Sequence, residues 1–161
     1  MLLEDVMPHS LHHAQEYIRS QLGEEALGDT GVGGVAFVST IEDAVRDADL
    51  AIDCVPDELE SKLEILWLLD RMAPPRTVLA TPTIRLSITD LASCTYRPGQ
   101  VIAIAQDASS LCAGTGPGIE LRSTSGTTRR TVALVEAFWR QLGFLPQFTV
   151  DTTPVKPAYP A

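Results

Sequence analysis

The amino-acid sequence predicts an α/β protein in which a mostly parallel sheet is covered by helices on both faces. Short β-branched runs alternate with amphipathic stretches along the chain, as expected for strands that alternate with helices. Residues 101–105 (VIAIA) carry no polar side chain, which is typical of a strand buried on both faces. The chain has 161 residues, of which 45% are apolar, and we expect one folded domain over residues 1–151.

The first elements follow from apolar spacing and from residues that end helices. Residues 1–6 (MLLEDV) begin as an apolar run and are interpreted as a strand. Residues 8–22 carry apolar side chains at helical spacing, and Gly23 is expected to end this helix. A glycine-rich connector at residues 24–34 then leads to a strand at residues 35–39.

Capping residues and prolines set the element boundaries in the middle of the chain. Thr40 is expected to cap a short helix whose first turn is acidic. Residues 50–55 are predicted as the next strand. The amphipathic helix that follows begins at Asp57 and ends before Pro74, where backbone donors are lost.

The second half of the chain continues the same alternation of strands and amphipathic helices. The tail from residue 152 has three prolines in its last ten residues and no periodicity, so residues 152–161 are predicted to be an extended or disordered arm. The remaining predicted elements are a strand at 77–80, a helix at 86–93, strands at 101–105 and 119–122, a helix at 127–142 and a strand at 144–150.

Composition argues against two classes of partner. The chain has 21 acidic and 12 basic residues and a formal net charge of −9, so it repels phosphate backbones and no nucleic-acid partner is expected. The longest apolar stretch, residues 65–69, is far below the roughly 18 residues of a membrane span, so no membrane partner is expected. The N-terminus is acidic where a signal peptide is basic, and we predict a cytoplasmic location.

Few side chains suggest metal or thiol chemistry. His9, His13 and Glu16 share one helical face and have the spacing of a zinc or nickel chelate, but no fourth ligand is evident and a solvated polar face is the simpler interpretation. The cysteines match neither a disulfide framework nor a zinc pattern and are predicted to be buried thiols. They are Cys54, Cys94 and Cys112.

Ligands of a parallel sheet bind at the carboxyl ends of its strands. This rule directs attention to the polar residues that directly follow the predicted strands, since their side chains gather at one edge of the sheet. These candidates are Glu4-Asp5, residues 53–57, residues 81–83 and Gln106-Asp107.

Several of these residues belong to a longer pattern. Ala48-Asp49-Leu50 opens a strand, an acid-x-Val-Pro-acid run follows at residues 53–57, and Lys62 and Thr81-Pro82-Thr83 complete the motif. The pattern is similar to the middle of the NAD-binding domain of 3-hydroxyacyl-CoA dehydrogenases, and a less specific similarity extends over residues 3–153. The resemblance implies a Rossmann-like fold, NAD as the cofactor and an acyl-CoA-type small molecule as the substrate.

The resemblance also implies the residues that contact the cofactor. Asp5 falls on the acid that accepts hydrogen bonds from the adenosine ribose at the tip of a strand. Asp57 and Lys62 fall on the acid and the lysine that border the nicotinamide ribose. Val55 and Thr83 complete the predicted cofactor edge.

The catalytic residues that the resemblance implies are incomplete. Glu120 falls on the carboxylate that holds the family's catalytic histidine in its working tautomer, but the histidine position is Ala105, and a methyl group cannot take a proton. Asp107 is the nearest substitute, although a carboxylate with a reference pKa of about 3.9 is a poor base for an alcohol. Ile84 and Arg85 stand where the family carries serines. We predict impaired catalysis, with Glu120 and Asp107 as the candidate catalytic residues.

By the same resemblance, the chain begins at the family's second strand. The first strand, its Gly-x-Gly-x-x-Gly loop and the first helix, which bind the pyrophosphate, are then expected to be absent. That strand would be central, so the strands at residues 1–6 and 50–55 lose their shared neighbour. Either these strands pair directly, or another chain supplies the pairing, or the protein is only marginally stable. Of these outcomes we expect association, as a homo-oligomer or with a partner subunit.

Two functions from different classes follow. The first is a catalytically impaired NAD-binding module of the 3-hydroxyacyl-CoA dehydrogenase family that serves in binding or assembly. The alternative is an active NAD-dependent dehydrogenase that oxidises a 3-hydroxyacyl thioester with Asp107 or Glu120 as base, its site completed by a partner chain or an N-terminal segment. A purely structural subunit of a larger enzyme is the third interpretation.

Overall fold

Strands and helices alternate along the computed structural model, which describes residues 1–23, 34–106 and 117–151. Asp107, Cys112, most of the glycine-rich connector and the predicted tail at 152–161 lie outside the described residues. The elements are β1 (Leu2–Glu4), α1 (Pro8–Leu22), β2 (Ala36–Val38), α2 (Ile41–Val45), β3 (Leu50–Ile52), α3 (Leu59–Met72), β4 (Val78–Pro82), α4 (Ile88–Ser93), β5 (Val101–Ile104), β6 (Gly118–Ser123), α5 (Arg129–Gln141) and β7 (Leu145–Val150).

One unit consists of residues 1–48 with residues 72–74 and contains a two-stranded parallel sheet of β1 and β2. α1 begins at Pro8, because a first helical turn does not need the missing N–H, and it ends before Gly23, whose φ is 80°. The Thr40 side chain accepts a backbone N–H of the first turn of α2 and caps that helix. Local sequence chemistry therefore predicts both helices of this unit correctly.

The second unit, residues 49–71 and 75–161, contains a five-stranded sheet with the order β3-β4-β5-β6-β7. Every neighbouring pair is parallel except β5 and β6, which are antiparallel. The α/β class and the mostly parallel sheet are thus confirmed. The carboxyl ends of β3, β4 and β5 lie at one edge of the sheet, because these strands run in the same direction.

The core of the second unit explains why its strands have continuous apolar runs. α5 covers one face of the sheet with Val135 and Trp139. On the opposite face, strand residues such as Leu79 and Ala103 are also fully buried, and α4 contacts β5 and β6. The buried cluster on the face that α5 covers is Val78, Ala80, Ile102, Ile104, Ile119, Leu121, Val135 and Trp139.

β1 and β3 each have one strand neighbour among the described residues. β1 pairs with β2 and β3 pairs with β4, so the two strands belong to different sheets. The expected loss of a shared neighbour stays a prediction, because each sheet belongs to its own unit.

Most predicted elements differ from the observed ones by one or two residues at an end. A larger difference and one wrong burial prediction occur around Cys54. The strand predicted at 50–55 ends at Ile52, and the helix predicted from Asp57 begins at Leu59. Residues 53–58 form a turn instead of extending the strand or the helix. In this turn the Asp57 carboxylate binds the loop after β4. Cys54 lies in this turn and is exposed, so the prediction of a buried thiol is wrong for Cys54.

The tryptophans lie on helices that are short and amphipathic. Trp139 is 6% exposed and packs edge-on against Phe144 at a centroid distance of 5.2 Å, as expected for a core residue. Trp67 is 44% exposed, and the Arg71 guanidinium lies 4.6 Å from its ring centroid. Over the residues that the structure describes, no helix is both long and apolar enough to cross a membrane.

Candidate functional site

Asp57 joins the loops that follow β3 and β4. One carboxylate oxygen accepts the Thr83 hydroxyl, and the other accepts the Ile84 N–H at 3.1 Å. The Asp57 carbonyl accepts the Arg85 guanidinium at 3.3 Å. Asp57 and Thr83 are 26 residues apart in sequence, and these bonds bring the two predicted cofactor residues together at the carboxyl end of the sheet.

The charge state of Asp57 follows from these contacts. Burial raises the pKa of Asp57, but the hydrogen bonds from the Thr83 hydroxyl and from the backbone of the β4 loop outweigh burial, and the pKa lies below the usual range of an aspartate. Asp57 is therefore ionised at neutral pH. Its two oxygens keep free lone pairs, since a carboxylate has about four acceptor sites.

This lowered pKa predicts a pH-dependent contribution to stability. A folded-state pKa below the unfolded value stabilises the protein above the unfolded pKa, and the stabilisation is lost as the pH falls through the folded pKa. We expect Asp57→Asn to be less stable than the wild type at pH 7 and to lose less stability on acidification below about pH 4. Urea denaturation across this pH range measures the difference, with the exposed Glu60→Gln as control. Parallel pH profiles of wild type and Asp57→Asn would contradict it.

Lys62 lies in the interior of the second unit. It is 1% exposed, and its Nζ donates to the Asp53 carboxylate at 2.6 Å. Burial raises the pKa of Asp53, and the attraction of Lys62 opposes this rise without cancelling it. Lys62 therefore forms a buried ion pair beneath the carboxyl ends of β3 and β4, and its predicted contact with a nicotinamide ribose stays a prediction.

The predicted histidine position and Glu120 face each other across the antiparallel pair. The register of β5 and β6 places Ala103 opposite Arg122 and Ile104 opposite Leu121, which puts Ala105 opposite Glu120. The Ala105 N–H donates to the Glu120 carbonyl at 2.9 Å, in agreement with this register. Cross-strand partners project to the same face of a sheet, so the two side chains share one face.

Glu120 has a hydrogen-bond partner on the neighbouring strand β7. Its carboxylate accepts the Thr149 hydroxyl of β7 at 3.0 Å and is exposed. Ala105 is half-buried and offers no titratable group. The two positions thus hold an accessible carboxylate next to a methyl group, and the second catalytic candidate, Asp107, lies outside the described residues.

Arg122 is a residue that the sequence interpretation missed. Arg122 lies two residues after Glu120 on β6, so the two side chains project to the same face of the sheet. This spacing is the signal in the sequence that could have identified Arg122. Its guanidinium donates through Nη2 to the Thr83 carbonyl. Its Nε is buried and has no hydrogen-bond partner among the described residues.

Asp151 was also missed, because its partners are distant in sequence. Its carboxylate accepts the Ser87 hydroxyl at 3.0 Å and the Thr89 N–H at 3.2 Å, at the beginning of α4. The contact spans 64 residues and connects the end of β7 with the loop after β4. Asp151 thereby helps to hold the loop that contains Thr83.

Asp5 and Val55 follow strands as predicted, each in its own unit. Asp5 follows β1, and its Oδ1 accepts the Met7 N–H at 2.7 Å, which leaves the second oxygen at the strand tip. Burial raises the pKa of the neighbouring Glu4, and Asp5 adds to this rise. Val55 is half-buried in the turn after β3.

The histidine face of α1 does not form the three-ligand set considered above. The His9 and His13 rings lie 4.1 Å apart, but Glu16 pairs with His12 at 3.4 Å. Within residues 1–23, 34–106 and 117–151, no group of three metal-binding side chains is positioned to hold an ion. The structure therefore favours a solvated polar face.

Comparison with a family model places this geometry among known proteins. Residues 2–147 match the model described as 3-hydroxyacyl-CoA dehydrogenase, NAD binding domain. This match covers β1 to the middle of β7 and includes Asp5, Asp57 and Glu120.

Curated relatives match over most of the chain. The chain is 30% identical over 148 residues to the 5-formyl-3-hydroxy-2-methylpyridine 4-carboxylate 5-dehydrogenase of Mesorhizobium japonicum, covering 88% of this chain and 47% of that protein. It is 32% identical over 108 residues to a probable 3-hydroxybutyryl-CoA dehydrogenase of Bacillus subtilis, covering 62% of this chain and 37% of that protein. The chain thus spans less than half the length of these two relatives.

Solved structures share the fold. A crystal structure of 5-formyl-3-hydroxy-2-methylpyridine 4-carboxylic acid 5-dehydrogenase, an NAD⁺-dependent dismutase, superposes with a TM-score of 0.76 at 26% identity, covering 94% of this chain and 50% of that chain. The (S)-3-hydroxybutyryl-CoA dehydrogenase of Ralstonia eutropha superposes with a TM-score of 0.78 at 21% identity, covering 94% of this chain and 55% of that chain, which supports the fold alone. The Rossmann-like architecture is thus confirmed.

Proposed function

Because the chain belongs to the 3-hydroxyacyl-CoA dehydrogenase family through its NAD-binding domain, we propose that it is an NAD-binding module with impaired catalysis that serves in binding or assembly. The observation that carries this proposal is the pair of Ala105 and Glu120. The carboxylate that would orient a histidine is present, and the residue opposite it in the ladder is an alanine. An alanine cannot act as a general base.

Each unit, taken by itself, provides a carboxylate that can accept hydrogen bonds from ribose hydroxyl groups. In one unit, Asp5 presents a carboxylate after β1, which suits an adenosine ribose. In the other unit, Asp57 is ionised and keeps free lone pairs, which suits the nicotinamide ribose. Lys62 fits this role less well, because its ammonium is buried against Asp53. NAD, when bound, would supply hydride-transfer chemistry.

A second candidate function is an active dehydrogenase whose base comes from elsewhere. The exposed carboxylate of Glu120 supports it, because a carboxylate can orient a general base or accept a proton itself. The substrate class would be a 3-hydroxyacyl thioester, and Asp107, a partner chain or a further segment would complete the site. Oligomeric assembly belongs to both proposals, since β1 and β3 leave unpaired backbone edges within the described sheets.

NAD binding and turnover distinguish these functions. We expect calorimetry to detect NAD binding to the chain and Asp57→Ala to weaken it at least tenfold, about 1.4 kcal/mol, because the variant loses the ribose acceptor. Glu60→Ala, an exposed acid on α3, is the matched control and should bind like the wild type. Oxidation of NADH with acetoacetyl-CoA should stay at background. Absence of NAD binding would refute the proposed module, and turnover would favour the active dehydrogenase.

A further inference from the structure

Two arginines are anchored on the loop that follows β4. Arg122 reaches this loop from β6 and donates to the Thr83 carbonyl. Arg85 lies in the loop and donates to the Asp57 carbonyl at 3.3 Å. Both guanidinium groups are therefore held by neutral backbone oxygens at the same edge of the sheet.

Neither arginine has a carboxylate partner among the described residues. The Asp57 carboxylate accepts the Thr83 hydroxyl and the Ile84 N–H, which are neutral donors, and forms an ion pair with neither arginine. The chain is rich in acid, and other arginines do pair with it. Examples are Arg46 with Asp43, Arg97 with Asp70 and Arg140 with Glu136.

The surroundings of Arg122 make the missing partner costly. Its side chain is half-buried, and its Nε–H is buried without an acceptor among the described residues. A buried donor without an acceptor destabilises a protein, and more so when the group is charged. An oxyanion bound at the terminal nitrogens of this guanidinium would neutralise part of the positive charge. Arg85 is exposed, and its guanidinium has further N–H donors besides the one that binds the Asp57 carbonyl.

We propose that Arg85 and Arg122 form an oxyanion subsite at the carboxyl end of β4, which binds the carboxylate of a small organic acid. The guanidinium group has a planar fork of donors that matches the two oxygens of a carboxylate. Asp57 remains ionised beside the arginines and limits the net positive charge, which favours a singly charged anion over a phosphate. The inference rests on the proposed function, because it places the small acid next to Asp57, which that proposal assigns to the nicotinamide ribose.

The experiment titrates the isotope-labelled chain with sodium 3-hydroxybutyrate and follows the amide signal of Ile84 and the Nε–H signals of the arginines by NMR. The neutral methyl ester of 3-hydroxybutyrate and inorganic phosphate are titrated at the same ionic strength. We expect saturable shifts with the carboxylate and none with the ester. Arg85→Gln should weaken binding at least tenfold, whereas Arg130→Gln, which removes an exposed arginine of α5, should leave binding unchanged.

Arg122→Lys is the second variant, because it keeps the charge and loses the fork, and it should also weaken carboxylate binding if it folds. Equal shifts with the ester, binding of phosphate without binding of the carboxylate, or full affinity in Arg85→Gln would each overturn the subsite. NAD calorimetry on the same samples separates the two proposals. A chain that binds NAD without the carboxylate refutes only the subsite, and one that binds the carboxylate without NAD refutes only the NAD-binding module.

Discussion

Replacing Lys62 with methionine is expected to lower the free energy of unfolding by about 3–5 kcal/mol. The Lys62 ammonium and the Asp53 carboxylate lie 2.6 Å apart, and both side chains are almost completely shielded from water. Methionine fills a similar volume, so the variant leaves the carboxylate buried without its charged partner while creating little empty space. Urea denaturation followed by circular dichroism measures the loss.

Two variants control for effects other than the lost charge partner. Arg140→Met breaks an ion pair with Glu136 at 2.9 Å, but both of these side chains are largely exposed. Exposed pairs contribute about 0–1 kcal/mol, so Arg140→Met should be nearly neutral. The double variant Asp53→Leu/Lys62→Met replaces the pair by apolar side chains and should recover most of the stability that Lys62→Met loses.

The destabilisation should also depend on pH in a defined direction. Burial already raises the pKa of Asp53 in the folded protein, and removing the lysine raises the pKa further. A folded-state pKa above the unfolded value means that the folded protein takes up the proton more readily, so stability is lost as the pH rises and regained as it falls. Lys62→Met should therefore recover part of its lost stability as the pH falls from 7 towards the unfolded-state pKa of aspartate, about 3.9. If Lys62→Met unfolds like the wild type at pH 7, the ion pair does not stabilise the fold.

This ion pair illustrates which features the sequence predicts and which it does not. The predicted helix contains Lys62, and the predicted strand ends near Asp53, so both elements are visible in the apolar pattern. The distance between their side chains depends on how α3 packs on the sheet, which local spacing does not determine. A lysine in an acidic chain is expected to be solvated, and its burial is a tertiary effect.

The same division applies to the rest of the fold. Helix ends at Thr40 and Gly23 are predictable because a side-chain cap and a positive φ are local properties. The helix start at Leu59 instead of Asp57 is not, because Asp57 binds Thr83 across 26 residues of sequence. Sequence patterns likewise indicate strands, whereas the order of strands within each sheet depends on pairing over long distances.

In the candidate site, the sequence identifies Asp57, Thr83 and Glu120 through a resemblance, and the structure adds the partners that make these residues interpretable. Arg122 carries no motif, and its importance arises from a hydrogen bond to a backbone carbonyl 39 residues away. The proposed loss of the base differs from Arg122, because Ala105 is recognisable in the sequence and its register opposite Glu120 follows from the strand pairing.

The pair of Ala105 and Glu120 leads to the second prediction with a large expected effect. Cross-strand partners have Cβ atoms about 4.5–5.5 Å apart, so a histidine at position 105 would place its imidazole beside the Glu120 carboxylate. A carboxylate at this distance favours the protonated imidazole. We expect the imidazole of Ala105→His to have a pKa about one unit above the reference value, corresponding to about 1.4 kcal/mol.

A two-dimensional NMR titration of the imidazole signals measures this pKa, with the double variant Ala105→His/Glu120→Gln as the matched control. Glutamine keeps the shape of the side chain and removes its charge, so the raised pKa should return towards the reference value in the double variant. A raised pKa that disappears with Glu120 would mean that the backbone still holds the carboxylate where a catalytic histidine needs it, and that the base was lost through one side chain. An unshifted pKa in the single variant would mean that the shared face of β5 and β6 does not bring the two side chains together, and the assignment of Glu120 to a catalytic pair would then fail.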